Sequence, residues 1–235
     1  MLGDSPGCMV RKLAVCLLTV ASVVAAQDKP RLGVGGKVST LGLGVEAATA
    51  VTEHSNVRAG FNGFSYDRAA TQHGIRYDGT LRLRSFEAHY DQYLGSLFHI
   101  SPGVLIYNGN RAEAVASVPG GTSFSLAGTR YTSTLADPVT GTGTLEVRKV
   151  APLVLAGFGN LLPRRSGHFA WNFEFGVVFQ GTPDVQLRLN GSGLGALPAF
   201  QSSVQAEQAR IVSDTSGYVR FYPVVSLGFG YKFGR

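Results

Sequence analysis

The last part of the sequence alternates between bulky apolar residues and small or polar ones. One set of alternate positions is apolar and rich in aromatic rings: Phe221, Pro223, Val225, Leu227, Phe229, Tyr231 and Phe233. The other set is smaller and more polar: Tyr222, Val224, Ser226, Gly228, Gly230 and Lys232. Successive side chains leave a pleated backbone on opposite sides, so this period of two predicts a β-strand. Aromatic rings gathered at one end of the apolar face favour a strand that meets lipid.

A second stretch repeats this pattern more strictly. Its bulky positions are Phe169, Trp171, Phe173, Phe175, Val177 and Phe179. Between them and at the two ends lie His168, Ala170, Asn172, Glu174, Gly176, Val178 and Gln180. A soluble protein would have to cover such an apolar face with a second sheet, whereas a membrane protein covers it with lipid.

The same alternation, interrupted by turn residues, divides the sequence into eight predicted strands. They cover 32–38, 41–51, 57–67, 75–90, 97–108, 144–160, 168–180 and 221–233. Short turns at 52–56, 91–96 and 161–167 contrast with long segments at 109–143 and 181–217. An even number of strands with short periplasmic turns and long outer loops is typical of bacterial outer-membrane barrels. We therefore expect an all-β fold, a transmembrane antiparallel up-and-down β-barrel of eight strands. The alternative, one long strand over 32–51, would break the even count.

Local signals refine this prediction. The apolar phase slips at 62–63, which predicts a β-bulge there. A second slip is expected near Ser85, because it turns Phe86, Ala88 and Tyr90 outward and keeps Glu87 and His89 out of the lipid. Segments 112–118 and 122–126 are candidates for a hairpin beyond the bilayer. Pro198 suits a first helical turn, and a weak apolar stripe predicts one short loop helix over 198–212. The stripe consists of Phe200, Val204, Glu207 and Ile211.

Composition supports a membrane barrel over other classes. Charged residues make up 15% of the chain, against about 25% in soluble domains, and its 31 glycines among 235 residues are nearly twice the usual share of about 7%. Beyond the N-terminus there is no apolar run of about 20 residues, which excludes a bundle of membrane helices. The net charge of +6 arises from scattered basic residues without the clustering of a nucleic-acid-binding face, so no nucleic-acid partner is expected.

The N-terminus resembles an export signal. Residues 9–12 give a basic start, 13–24 an apolar core, and the small residues before Gln27 a cleavage site near Ala26. We expect residues 1–26 to be a signal peptide, with Met9 as an alternative start, and residues 27–235 to form the barrel. Cleavage would remove Cys8 and Cys16, the only cysteines of the chain.

Alternation also predicts what the barrel contains. Closing eight strands leaves an interior filled by side chains, and charges placed there must pair. The residues expected to form this polar cluster are Glu46, Arg58, Arg82, Arg84 and Glu174, together with Asn62, Asn172 and Lys232. We interpret the cluster as a structural plug in which Glu46 and Glu174 pair with arginines. The alternative is a narrow path for ions or small solutes.

No catalytic, metal or cofactor site is predicted. The His168-Phe169-Ala170 triplet has alanine where a deacylase-type His-x-Ser motif needs its nucleophile. The five histidines lack the i, i+2 or i, i+4 spacing of metal ligands. The glycine pattern at 42–47 continues as a strand where a dinucleotide site requires a helix.

Three segments, 60–67, 81–86 and 221–228, resemble those of small proteobacterial outer-membrane β-barrel proteins. That porin-like group is similar to the eight-stranded outer-membrane protein A and W types and has no established activity. The resemblance implies the fold and a location in the bacterial outer membrane. The C-terminal strand ending at Phe233 resembles the signal read by the barrel-assembly machinery, and the expected surroundings are outer-membrane lipid and lipopolysaccharide.

The sequence thus favours a non-enzymatic barrel with a structural or surface-binding role. The alternatives are a lipid-modifying hydrolase similar to lipid A deacylases, a narrow channel for small solutes, and a soluble periplasmic barrel that binds a ligand.

Overall fold

A computed structural model describes residues 31–72, 74–136, 138–162, 167–191 and 193–233. The predicted signal peptide and its cleavage site lie outside these residues. The strands are β1 Leu32–Ser39, β2 Gly42–Thr52, β3 Ser55–Gln72, β4 Ile75–Leu94, β5 Phe98–Asn108, β6 Arg111–Val118, β7 Ser123–Leu126, β8 Thr129–Thr132, β9 Val139–Glu146, β10 Ala151–Gly159, β11 Phe169–Phe179, β12 Asp184–Asn190 and β13 Phe221–Phe233. Within the described ranges there is one helix, α1, which spans Pro198–Arg220. No helix among the described residues has the length and hydropathy that crossing a membrane would need.

Eight of the strands close into an antiparallel barrel. Their order around the ring is β1, β2, β3, β4, β5, β10, β11 and β13, and β13 pairs with β1 to complete it. The closing pair runs from Leu32 opposite Phe233 to Ser39 opposite Ser226. The expected strand count is confirmed, because β1 is a separate strand that turns into β2 at 40–41. We call the end that holds Leu32 and Phe233 the terminal end.

The outward face of the barrel is apolar. Along β13 the odd-numbered side chains from Phe221 to Phe233 are exposed, while Val224, Ser226 and Gly228 are buried. The neighbouring β11 shows the same alternation, with Trp171 and Phe175 exposed. The eleven residues of β11 match the roughly 9–11 residues that a tilted strand needs to cross a bilayer.

Opposite the terminal end, the sheet continues beyond the barrel. The outer halves of β3 and β4 pair with each other over 64–72 and 75–83, and β6, β9 and β12 add to the edge of β4 in that order. The hairpin β7–β8 and helix α1 lie on this extension. We call this whole assembly, comprising 64–83, 111–146 and 184–220, the canopy.

The segments predicted as long loops, 109–143 and 181–217, instead contain most of the strands and the helix of the canopy. Strands β6 and β9 pair with each other, and 123–126 forms a separate hairpin with β8 instead of pairing with 112–118. Strand 144–160 is two strands, because the chain leaves the canopy after Glu146 and enters the barrel at Ala151. Helix α1 continues to Arg220, directly before β13, well beyond the predicted end at 212.

The bulge predicted at 62–63 is wrong, whereas the slip expected near Ser85 is found in the pairing of β4 with β5, and Phe86 and Tyr90 face outward as expected. The pairing of β3 with β4 has neither. Their register runs without a shift from Ser55 opposite Gln92 to Gln72 opposite Ile75. The shift in β4–β5 lies at Phe86/Glu87, and another occurs in β2–β3, at Ala50/Thr52. The apparent change of phase at 62–63 has another cause: both strands leave the barrel wall, so the same face changes from an apolar to an aqueous environment.

Candidate functional site

An ion-pair network centred on Arg58 fills the middle of the barrel. Arg58 is 2% exposed and lies on the inward face of β3. Its Nε and Nη2 donate to the two oxygens of Asp91, each over 3.1 Å. Its Nη1 donates over 2.9 Å to Glu46 and over 2.9 Å to Glu174, and its Nη2 donates to the second oxygen of Glu174. One guanidinium thus joins carboxylates from three other strands, β2, β4 and β11.

A second cation extends the network across the barrel. The Nζ of Lys37, on β1, contacts Glu87 on β4 and lies 3.6 Å from Glu46. The Nε2 of His89 lies 3.5 Å from Glu87. All these side chains are buried, so pairing is what makes their charges tolerable in a low-dielectric interior.

Further polar side chains complete the layer. His99 Nε2 lies 3.1 Å from Glu174, and the Ser101 hydroxyl donates to Asp91 over 2.7 Å. The Asn62 amide donates to the Ser85 hydroxyl over 3.1 Å. The orientation of each carboxylate is therefore fixed by several neighbours, as expected of a packed network in a rigid wall.

Apolar layers close the polar layer at both ends. Towards the canopy a buried cluster crosses the barrel: Leu41, Leu105, Ala151, Leu153, Leu155, Val178 and Val224. At the terminal end Leu161 and Leu162 fold inward against Ala48. Gly35 makes room for this plug, since a Cβ at Gly35 would lie 2.8 Å from Leu161 Cδ1. Water and ions would have to cross both apolar layers to pass through the barrel.

Of the five charged residues first named for the cluster, the structure brings together three, namely Glu46, Arg58 and Glu174. The predicted Asn172 joins them, with its amide nitrogen 3.5 Å from Glu46. Arg82 and Arg84 do not belong to it, because both are exposed and share the outward face of β4 with Phe86. The reason is the unbroken pairing of β3 with β4. Because this pairing has no shift between Arg82 and Phe86, the even-numbered side chains of β4 stay on the outside and reach water beyond the barrel wall.

Sequence analysis missed the other members of the network as site residues. Glu87 and His89 were expected to face inward but were not included in the cluster, and Lys37 lies in the glycine-rich first strand. Asp91 was assigned to a turn, although β4 continues to Leu94. A signal was available for His99 and Ser101, since they alternate with Ile100 and Pro102 on β5 and therefore share the inward face.

The canopy encloses a second candidate site, a cavity of about 600 Å³ between its sheet and α1. Register puts alanines and glycines in the middle of the sheet, with Tyr77 opposite Ala116, Ala116 opposite Gly141, and Gly141 opposite Leu189. Small residues in the central rows form a trough between larger ones at the edges. Its cover comes from α1 and the β7–β8 hairpin, which pack together through Phe200, Val204, Leu126, Phe124 and Tyr131.

Glu207 explains the polar interruption in the helix stripe. Its carboxylate accepts the backbone N–H of Ala127 over 2.8 Å and pairs with Arg210 over 2.6 Å. Partial burial alone would raise the pKa of Glu207, but these hydrogen bonds outweigh burial and lower the pKa below its ordinary value. The glutamate therefore fastens α1 to the tip of the hairpin that covers the cavity.

Two candidate catalytic groups, Ser101 and His168, have other partners in the structure. Ser101 donates to Asp91, whereas the neighbouring His99 contacts Glu174, so this serine and this histidine do not form a hydrogen-bonded pair. His168 lies at the terminal end, with its Nδ1 3.0 Å from the carbonyl oxygen of Lys232 and its ring stacked on Tyr231. Among the described residues, no group of three or more His, Cys, Asp or Glu side chains could hold a metal ion.

Two solved structures share this barrel fold. CarO2 of Acinetobacter baumannii aligns with a TM-score of 0.57 at 19% identity, covering 88% of this chain and all of that one. CarO of the same organism aligns with a TM-score of 0.55 at 19% identity, over 86% of this chain and 97% of that one. This chain has the fold of the small outer-membrane β-barrels. No protein-family model and no curated protein matches the sequence.

Proposed function

We propose that this protein is a non-enzymatic barrel of the bacterial outer membrane, in which a closed, ion-paired interior supports a canopy that binds ligands at the cell surface. The observation that carries the proposal is the closed interior: the Arg58 network lies between two apolar layers. A barrel built this way holds its wall rigid and leaves binding to the canopy.

A narrow channel is the first alternative, and conductance tests it. We expect the purified protein in planar lipid bilayers to give no steady current, because the apolar layers leave no continuous polar path. A steady current that disappears in Glu174→Gln but persists in Arg188→Gln, a change in the canopy, would contradict the plug and favour an ion path through the network.

A lipid-modifying hydrolase is the second alternative. The proposal predicts identical lipid A masses from cells with and without the protein. A loss of acyl groups that depends on Ser101 or His168 would contradict it.

The canopy cavity supports the binding part of the proposal. At about 600 Å³ it lies within the roughly 300–1,000 Å³ of small-molecule sites, and most of its lining is apolar. A small apolar compound is the class of ligand that fits such walls.

This site can be tested by filling it. A Cβ at Gly143 would lie 3.8 Å from Leu187 Cδ1, so Gly143→Val should add methyl groups to the cavity without a severe clash. Methyl NMR of Leu187 and Leu189 in lipid nanodiscs should show saturable shifts on addition of naphthalene, and Gly143→Val should abolish them. Gly36→Val, on the outside of β1, is the matched control and should leave them unchanged. Equal shifts in both variants would rule out the cavity as the site.

Placement in the membrane is tested separately. The protein should sediment with outer membranes and show a gel mobility that changes on heating in detergent. Removing the aromatic end of β13 with Phe233→Ala should lower the amount assembled if this strand is recognised by the barrel-assembly machinery. A protein recovered from the periplasm without a heat-dependent shift would favour the soluble alternative.

A further inference from the structure

A basic cavity lies on the outer wall of the barrel where the canopy begins. Its volume is about 570 Å³, and four cationic side chains line it: Arg82, Arg84, Arg111 and Lys149. Aromatic rings of Phe61 and Tyr107 also line it. This basic cavity is separate from the barrel interior and from the canopy cavity beneath α1.

The charges of this cavity are poorly balanced within the protein. Arg82 and Arg111 are directly opposite each other on paired strands, an arrangement that destabilises a sheet when both residues carry the same charge. Arg111 lies 3.1 Å from Glu113, and Lys149 lies 3.7 Å from Glu146. In the part of the chain that the structure describes, neither Arg82 nor Arg84 has an ion pair within 4.0 Å. The cavity therefore carries two positive charges, those of Arg82 and Arg84, in addition to the two that are offset by glutamates.

The position of the cavity along the membrane normal indicates which layer of the bilayer surrounds it. Phe86 is exposed on the outward face of β4, among the apolar side chains of the barrel wall. Arg84 and Arg82 are two and four residues further along the same face, which is about 7 and 13 Å along the strand at roughly 3.3 Å per residue. A strand tilted by about 45° rises by about 5 and 9 Å over these distances, and the interfacial layer of a bilayer is about 5–8 Å thick on each side of the hydrocarbon. With Phe86 at the edge of the hydrocarbon, the two arginines lie at and just above the level of lipid head groups.

We propose that this cavity binds the phosphate groups of a phosphorylated glycolipid of the outer leaflet, the lipid A part of lipopolysaccharide. Arginine guanidinium groups match phosphate oxygens in a bidentate geometry. A phosphate between Arg82 and Arg111 would turn their mutual repulsion into two attractions. The rings of Phe61 and Tyr107 offer apolar surface at the level where the sugar and the first acyl carbons lie. This inference rests on the proposed location in the outer membrane and adds a specific lipid partner to it.

The test compares two pairs of charge-removing substitutions. Arg82→Gln with Arg84→Gln removes the unpaired cations of the cavity. Arg68→Gln with Arg188→Gln removes the same charge from exposed canopy positions outside this cavity and outside the canopy cavity. Native mass spectrometry of the detergent-solubilised full chain would give dissociation constants for diphosphoryl lipid A, monophosphoryl lipid A and zwitterionic phosphatidylcholine.

We expect the first pair to weaken binding of diphosphoryl lipid A by roughly tenfold or more, since each charge-assisted contact contributes at least that order. The control pair should bind as the wild type does. Arg82→Lys with Arg84→Lys should retain part of the affinity, and wild-type affinity should fall from diphosphoryl to monophosphoryl lipid A. Unchanged affinity in the first pair, or an equal loss in both pairs, would overturn the proposal. A heat-dependent gel shift in every variant separates this outcome from a failure of the barrel itself.

Discussion

Replacing Arg58 with methionine should destabilise the barrel more than any other single charge removal. The substitution removes five charge-assisted hydrogen bonds and leaves Glu46, Asp91 and Glu174 buried without their shared cation. Breaking a buried ion pair by removing one partner costs about 3–5 kcal/mol, mainly because the remaining charge stays buried. Three carboxylates lose their partner here, so we expect a loss at the upper end of that range.

The measurement is urea unfolding of the folded barrel in lipid vesicles, followed by Trp171 fluorescence and by gel mobility. With an m-value of about 2 kcal/mol per molar, a loss of about 4 kcal/mol moves the midpoint down by roughly 2 M. Arg82→Met is the matched control: this arginine is exposed, and surface substitutions usually stay within about 0.5 kcal/mol.

A rescue variant identifies the cause. Adding Asp91→Asn and Glu174→Gln to Arg58→Met removes two of the stranded charges, so it should recover part of the lost stability. The reasoning is refuted if Arg58→Met unfolds within about 1 kcal/mol of the wild type, or if the triple variant is less stable than the single one.

Three further outcomes follow from the geometry. Leu227→Lys puts a charge in the middle of the outward face of β13 and should cost about 2–4 kcal/mol in the same vesicle assay; a neutral result would contradict lipid contact there. Gly230→Val should prevent tight closure of the terminal end, because a Cβ there collides with Leu161, whereas Gly36→Val should fold normally; equal yields of heat-modifiable protein would argue against the plug. Acidification should loosen α1 from the hairpin: the pKa of Glu207 is lowered by folding, so its stabilisation is complete above the ordinary value of about 4.3 and is lost as the pH falls through the folded-state pKa. The protection of amide hydrogens at the tip of the hairpin, corrected for the intrinsic pH dependence of exchange, should fall on that descent and stay constant in Glu207→Gln.

Sequence alternation predicted which side chains of a barrel strand point inward because that property is local. Glu174 and Arg58 could be assigned to the interior from the spacing of their own strands. Their contact could not be predicted in the same way, since 116 positions separate them and the register of four successive strand pairings decides which side chains meet.

Arg82 and Arg84 mark the point where local reasoning fails. Alternation gives two faces but does not show where a strand leaves the membrane. Beyond Phe86 the outward face of β4 is in contact with polar surroundings. Arginine is favourable there, just as phenylalanine is favourable closer to the centre of the bilayer. Similarly, Glu207 weakened the prediction of α1, because its partner, the N–H of Ala127, is 80 residues away.

The pairing of β1 with β13 has a consequence for biogenesis. The first and last strands of the barrel form the seam, so the ring stays open until the C-terminal segment has been exported. Until then Lys37 and Glu46, near the start, cannot share an interior with Glu174, near the end, and these charges remain hydrated. Closure of the seam and dehydration of the ion pairs are therefore one late, cooperative event that depends on contacts between residues far apart in the sequence. A chain arrested before β13 would keep two unpaired strand edges and hydrated interior charges.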